Sequence, residues 1–176
     1  ITAKILPQFY HQCDLEDLVL MVSTVIEEAI SENDENSVPL LSKGLTPFHS
    51  LLKPSITVRD YLSRITKHAA LTPAMLLSMM YYIDRLSSIF PAFLINSFTA
   101  HRFLITAATV ACKGLSDSFL RTVAYARIGG VKASELRRLV RLFLYYLDWG
   151  IVPHPETLVA YYRGLVTRSD GYIFEP

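Results

Sequence analysis

Residues 99–113, TAHRFLITAATVACK, place apolar or small side chains on nearly every face of a helix. A helix that is apolar nearly all round is buried on all sides. Its second half is also thin, since Thr106, Ala107, Ala108, Thr109, Ala111 and Cys112 are all small. Small side chains let neighbouring backbones come close, so a chain with this segment has to build a helical bundle around it. His101, Arg102 and Lys113 bracket the apolar run. It therefore falls short of the roughly 20 apolar residues that a membrane span needs. The expectation is a soluble protein with one buried central helix.

The flanking sequence supplies the other helices. Leu18, Val19, Val22, Val25, Ile26 and Ala29 recur at helical spacing and predict a helix over residues 15–30. The acidic SENDENSVP after it reads as a solvated linker, and LTPFHSLLKPS as irregular chain anchored by Phe48 and Leu51. Thr57-x-x-Asp60 resembles a capping box, with Ile56 and Tyr61 spaced as a hydrophobic staple, and predicts a helix to about residue 70. Thr72 and Pro73 give the N-cap and first position of another, which Pro91 stops. After the central helix, with Gly114 as its C-cap candidate, come a short helix over 118–128 ending at Gly129-Gly130 and one over 133–148. A last helix follows Pro155, and no period-2 strand pattern is visible. The fold class is all-α.

Chemistry is sparse. His11, His49, His68, His101 and His154 are scattered, with no HExxH or CxxC spacing, and neither a P-loop nor a dinucleotide-binding glycine motif is present. No catalytic residue, metal or cofactor is expected. Cys13 and Cys112 lie far apart, and Cys112 among alanines reads as a small buried thiol, which favours a reducing intracellular setting, nucleus or cytoplasm. The chain opens on Ile1 rather than Met, so the expectation is that its natural start lies upstream and targeting is not readable. Net charge is +1, yet residues 102–141 hold a local excess of six positive charges. Two readings stay open: the solvated backs of amphipathic helices, or a surface for an acidic partner.

Five segments in order carry a resemblance: SITVRDYLSRI (55–65), YYIDRL (81–86), INSFTAHRFLITAATVACKGLSD (95–117), YARIGGV (125–131) and ELRRLVRLFLYYLDW (135–149). Together they resemble a cyclin box, in particular the P/U-type cyclins related to the fungal phosphate-pathway cyclin. The resemblance implies a single five-helix box over about 48–153. An N-terminal helix and linker (1–47) precede it, and a C-terminal helix and tail (154–176) follow. It implies a non-catalytic regulatory subunit that binds and activates a cyclin-dependent kinase and helps choose its protein substrates. The alternative is a cyclin-fold scaffold for nucleic acid or transcription machinery, with no kinase activation; nucleic acid is the less expected partner, and a membrane is not expected.

Residue by residue, the resemblance assigns Lys113 to the lysine that ends the family's third box helix and reaches the kinase. The glutamate that usually partners it is replaced by Val140. Leu144 and Trp149 match kinase-packing positions, and Asp117 matches an acidic residue that can stand in for an activation-loop phosphate. Asp84 matches a structural aspartate paired with an arginine of the first box helix, Arg64 or else Arg59. Simpler roles stand beside these: a C-terminal helix cation for Lys113, a core anchor for Trp149 and a helix cap for Asp117. The MRAIL motif of cell-cycle cyclins is absent, so their substrate-docking patch is not implied.

One prediction needs only the pattern. Lys132 occupies an N-cap position with Glu135 three residues on, and a lysine offers no acceptor to the orphan amides. Lys132→Ser is expected to stabilise the fold by about 0.5–1 kcal/mol, read as a raised melting midpoint. An unchanged or lowered midpoint places the helix start elsewhere.

Overall fold

The computed structural model describes residues 2–36 and 45–176. Among these residues seven α-helices run in the order α1 (Leu15–Glu35), α2 (Val58–His68), α3 (Pro73–Ile89), α4 (Ala100–Leu115), α5 (Thr122–Gly129), α6 (Ala133–Tyr146) and α7 (Pro155–Arg168). Every side chain of α4 from Phe103 to Cys112 is buried, and α2, α3, α5 and α6 all pack on it. The two threonines in this dry core are satisfied within the helix: the Thr106 and Thr109 hydroxyls donate to the Arg102 and Ile105 carbonyls, each at 2.7 Å. A cluster of aromatic rings fills the space where α3, α4 and α6 meet. Phe143 lies 5.4 Å from Tyr82 and 5.8 Å from Phe103, and Phe48 lies 5.3 Å from Phe93.

Several local signals act as the sequence implies. Thr57 Oγ1 accepts from the Asp60 amide at 3.1 Å and opens α2, and Thr72 Oγ1 accepts from the Met75 amide at 3.3 Å ahead of Pro73. Lys132 is the N-cap of α6 and makes no side-chain cap bond. The two glycines after α5 serve different needs. Gly130 takes a left-handed conformation, φ +69°, which closes the helix. Gly129 is a point of contact instead, because a Cβ there would lie 2.3 Å from Ile105 Cγ1 of α4. The Tyr61 hydroxyl reaches the Gly129 carbonyl at 2.6 Å, and burial pushes that phenol up to about 12, which keeps it a donor.

Other boundaries differ from the expectation. Helix α1 does not stop at Ile30 but runs through the acidic stretch to Glu35. Tertiary bonds hold this extension: Asn33 Nδ2 donates to the Ile95 carbonyl at 2.8 Å, and the Asp34 carboxylate accepts from the Ser97 amide and hydroxyl. The rest of that linker, residues 37–44, lies outside the described residues. Gly114 is no cap, because α4 continues to Leu115 and ends at Ser116; it is a close approach, with Ile151 Cδ1 only 3.0 Å from where its Cβ would stand. Helix α5 begins at Thr122 rather than Ser118, and α6 ends at Tyr146 rather than Asp148. Two three-residue strands also form, β1 (Lys4–Leu6) and β2 (Tyr172–Phe174), paired in parallel with Ile5 opposite Ile173. Strands this short show no readable alternation. No helix among the described residues is long and apolar enough to cross a membrane.

The Gly129 contact predicts a measurable cost. Gly129→Ala removes a helix glycine but drives a methyl into Ile105, and overpacking of this kind costs about 1–3 kcal/mol. Chemical denaturation is expected to show net destabilisation, partly recovered in the Gly129→Ala/Ile105→Val double variant. A destabilisation unaffected by trimming Ile105 would assign the effect to the helix end instead.

Candidate functional site

The last turn of α4 carries Lys113, half-buried, with its Nζ donating to Thr122 Oγ1 of α5 at 2.9 Å. That bond holds the side chain across the gap between the two helices. No carboxylate pairs with it among the described residues, so the ammonium is open to another partner. Next to it, the missing side chain at Gly114 admits Ile151, and Val152 lies 3.7 Å from the same point. The chain after α6 is thereby pressed against the end of α4.

Exposed apolar side chains lie on the segments that flank the lysine. Phe119 and Leu120 in the loop before α5, Val123 on its first turn, and Val152 are all exposed. The loop is fixed internally, with Ser116 Oγ donating to the Ser118 carbonyl at 2.8 Å and the Leu120 amide donating to the Tyr125 hydroxyl at 3.1 Å. Trp149 completes the group with 72% of its surface open to solvent. Its backbone is left-handed, φ +60°, as is that of Asp148, φ +50°. Two successive non-glycine residues in that region cost about 1–2 kcal/mol each, so the turn is held by its neighbours. The Trp149 amide donates to the Leu144 carbonyl and the Ile151 amide to the Trp149 carbonyl, both at 3.0 Å.

The structure separates the assigned residues. Lys113 and Trp149 belong to this surface, and Leu144, half-buried, supports the turn that displays Trp149. The core-anchor role for Trp149 is excluded by its exposure. Val140 is only 8% exposed and packs inward, so it backs the surface rather than presenting to it. Asp117 is exposed and makes no hydrogen bond or ion pair among the described residues; it caps nothing, since the N-cap of α5 is Arg121. The Asp84 pairing is corrected. Asp84 accepts a short hydrogen bond from the Tyr161 hydroxyl of α7, not from Arg64 or Arg59. Asp84 faces α7, whereas the Arg64 guanidinium reaches toward Gly130 at the α5–α6 turn. Burial, reinforced by the Asp84 carboxylate, pushes the Tyr161 phenol upward.

The exposed Phe119, Leu120, Val123 and Val152 were not among the residues singled out from sequence. Phe119, Leu120 and Val123 fall within the helix expected over 118–128, where apolar side chains pass as core, and Val152 lies between two expected helices. The Arg102–Glu135 ion pair, 3.4 Å between α4 and α6, was likewise unmarked, being two charges 33 positions apart.

The description Cyclin fits residues 16–151, a span that includes all of α2 to α6. The chain belongs to the cyclin family. It is 53% identical over 176 residues to the Nuc-1 negative regulatory protein preg of Neurospora crassa, covering 99% of this chain and 36% of that protein. It is 41% identical over 161 residues to the PHO85 cyclin PHO80 of Saccharomyces cerevisiae, covering 90% and 55%. A plant relative, Cyclin-U4-1 of Arabidopsis thaliana, is 34% identical over 152 residues, covering 86% and 75%. This cyclin thus spans about a third to a half of the length of the first two relatives. Its similarity to the P/U branch agrees with the sequence motifs.

The strained turn predicts that Trp149 is not retained for stability. Trp149→Gly removes the left-handed penalty of about 1–2 kcal/mol, offset in part by the greater freedom of glycine in the unfolded chain, about 0.5–1 kcal/mol. The melting midpoint is expected to stay level or rise slightly. A fall of several degrees would show that the indole packs more firmly than its exposure implies.

Proposed function

We propose that this cyclin is the regulatory subunit of a cyclin-dependent protein kinase, which it binds and activates through the surface around Lys113. The observation that carries the reading is one unpaired, tethered cation framed by exposed apolar residues and by a tryptophan held out on a strained turn. Buried aromatic anchors with one or two charged contacts are the usual centre of a protein interface. Isolated exposed apolar residues are ordinary, but several gathered beside a fixed charge mark a place for a partner.

The relatives support the class of partner. PHO80 is by its name a PHO85 cyclin, and PHO85 cyclin-7 of the same yeast is 32% identical over 167 residues, covering 83% of this chain and 59% of that protein. The kinase supplies the catalytic groups, and the cyclin supplies the face that holds it in the active arrangement and contributes to substrate choice. Without a glutamate at Val140, the Lys113 ammonium is available to a carbonyl or carboxylate on the kinase. Asp117, free at the edge of the same loop, is positioned to meet a basic group there. A nucleic-acid scaffold is the weaker reading, because Arg102 of the basic tract is already bonded to Glu135 and Pro47.

The test is kinase activation by the purified chain. A cyclin-dependent kinase of the PHO85 type, inactive alone, is expected to phosphorylate a proline-directed peptide once this chain is added. Lys113→Glu is expected to lower association at least tenfold, about 1.4 kcal/mol or more. At a helix C-terminus the same change costs only about 1 kcal/mol or less of folding stability, so the melting curve separates the two effects. Normal activation by a folded Lys113→Glu protein would remove Lys113 from the interface. Failure of the unaltered chain to activate any such kinase would overturn the reading itself.

A further inference from the structure

The outer face of α6 has no part in the surface just described. Arg137, Arg138, Arg141 and Tyr145 fall on one side of this helix and are all exposed, while Leu136, Leu139, Val140 and Phe143 fill the core from the other. None of the three arginines pairs with a carboxylate among the described residues. The one acidic residue within α6, Glu135, is held by Arg102 instead. On a merely solvated helix face, cations are commonly offset by acids three or four residues away. Here the residues at those distances include Arg141 for both Arg137 and Arg138, so the spacing sets like charges together. The stripe therefore sets like charges side by side with no ion pair to offset them, which is the pattern of residues retained for a partner.

We propose that this stripe docks an acidic segment of a partner protein: a run of aspartates or glutamates in extended conformation, followed by an apolar side chain that rests on Tyr145. From Arg137 to Tyr145 the helix rises about 12 Å, which matches about four residues of extended chain at roughly 3.3 Å each. Guanidinium forks pair bidentately with carboxylates, and three in a row fit a run of them. A single phosphate would call for converging donors, whereas these are spread along the helix and exposed. Tyr145 is braced for the apolar contact. It meets Tyr146 edge to face at 5.4 Å, and Tyr146 is stacked on Phe90 at 4.2 Å. The proposal concerns the isolated chain and does not depend on the kinase.

The test is fluorescence anisotropy with a fluorescein-labelled peptide carrying a run of glutamates followed by leucine. The chain is expected to bind it, with affinity falling as salt is raised. The triple variant Arg137→Glu/Arg138→Glu/Arg141→Glu is expected to lose at least tenfold, and Tyr145→Ala severalfold. A control triple variant, Lys67→Glu/Arg85→Glu/Arg163→Glu, carries the same charge change on other exposed positions and is expected to lose less than twofold. Because all of these side chains are exposed, circular dichroism is expected to be unchanged in each. Equal loss in both triple variants, absence of binding by the unaltered chain, or equal or tighter binding of a labelled duplex or single-stranded oligonucleotide would each overturn the proposal.

Discussion

Helix α4 cannot be widened, and the rest of the protein is arranged around that fact. Four helices meet it, and each needs its own backbone close enough for side chains to interlock. Alanines and threonines make this possible on one side of the contact, and Gly129 does the same from α5. Once α5 is seated against Ile105, the Tyr61 bond to the Gly129 carbonyl fixes α2 as well. The end of α4 is then held where Thr122 can reach Lys113 and where Ile151 can close over Gly114. The candidate surface is thus a product of the central packing. Its geometry is inherited from residues that never touch solvent.

Much of this was readable in the chain. The thin, apolar α4, the Thr57 and Thr72 caps, the Gly130 stop and the amphipathic period of α6 are local signals, decided by side chains a few positions apart. What could not be read depended on distant partners. Asn33 and Asp34 look like linker residues until Ile95 and Ser97 are brought beside them. Asp84 gives no hint that its partner is a phenol 77 positions later rather than a nearby arginine. The strands β1 and β2 are too short for a pattern, and only the fold places them together.

The surface shows the same division. Lys113 was legible because a lysine at the end of an apolar helix is conspicuous, and family motifs surround it. Trp149 was ambiguous in sequence, since an indole is at home both in cores and at interfaces. Only the left-handed backbone at Asp148 and Trp149 resolves it, by turning the ring outward just after α6 ends. Val140 shows the limit of residue matching. Its position was matched to an interface residue, yet at 8% exposure the isopropyl group is an inward contact.

The short parallel sheet bears on the order in which the protein assembles. It joins segments at opposite ends of the chain, and Gln8 bonds to Glu175 across a separation of 167 positions. Closing so long a loop carries an entropic cost that six hydrogen-bonded residues cannot offset by themselves. The pairing therefore has to wait until α1 and α7 have brought the ends together on the bundle, making it a late event in folding. It also acts as a latch. The paired segments precede α1 and follow α7, outside the helices that pack on α4, so opening the pairing leaves that central packing in place.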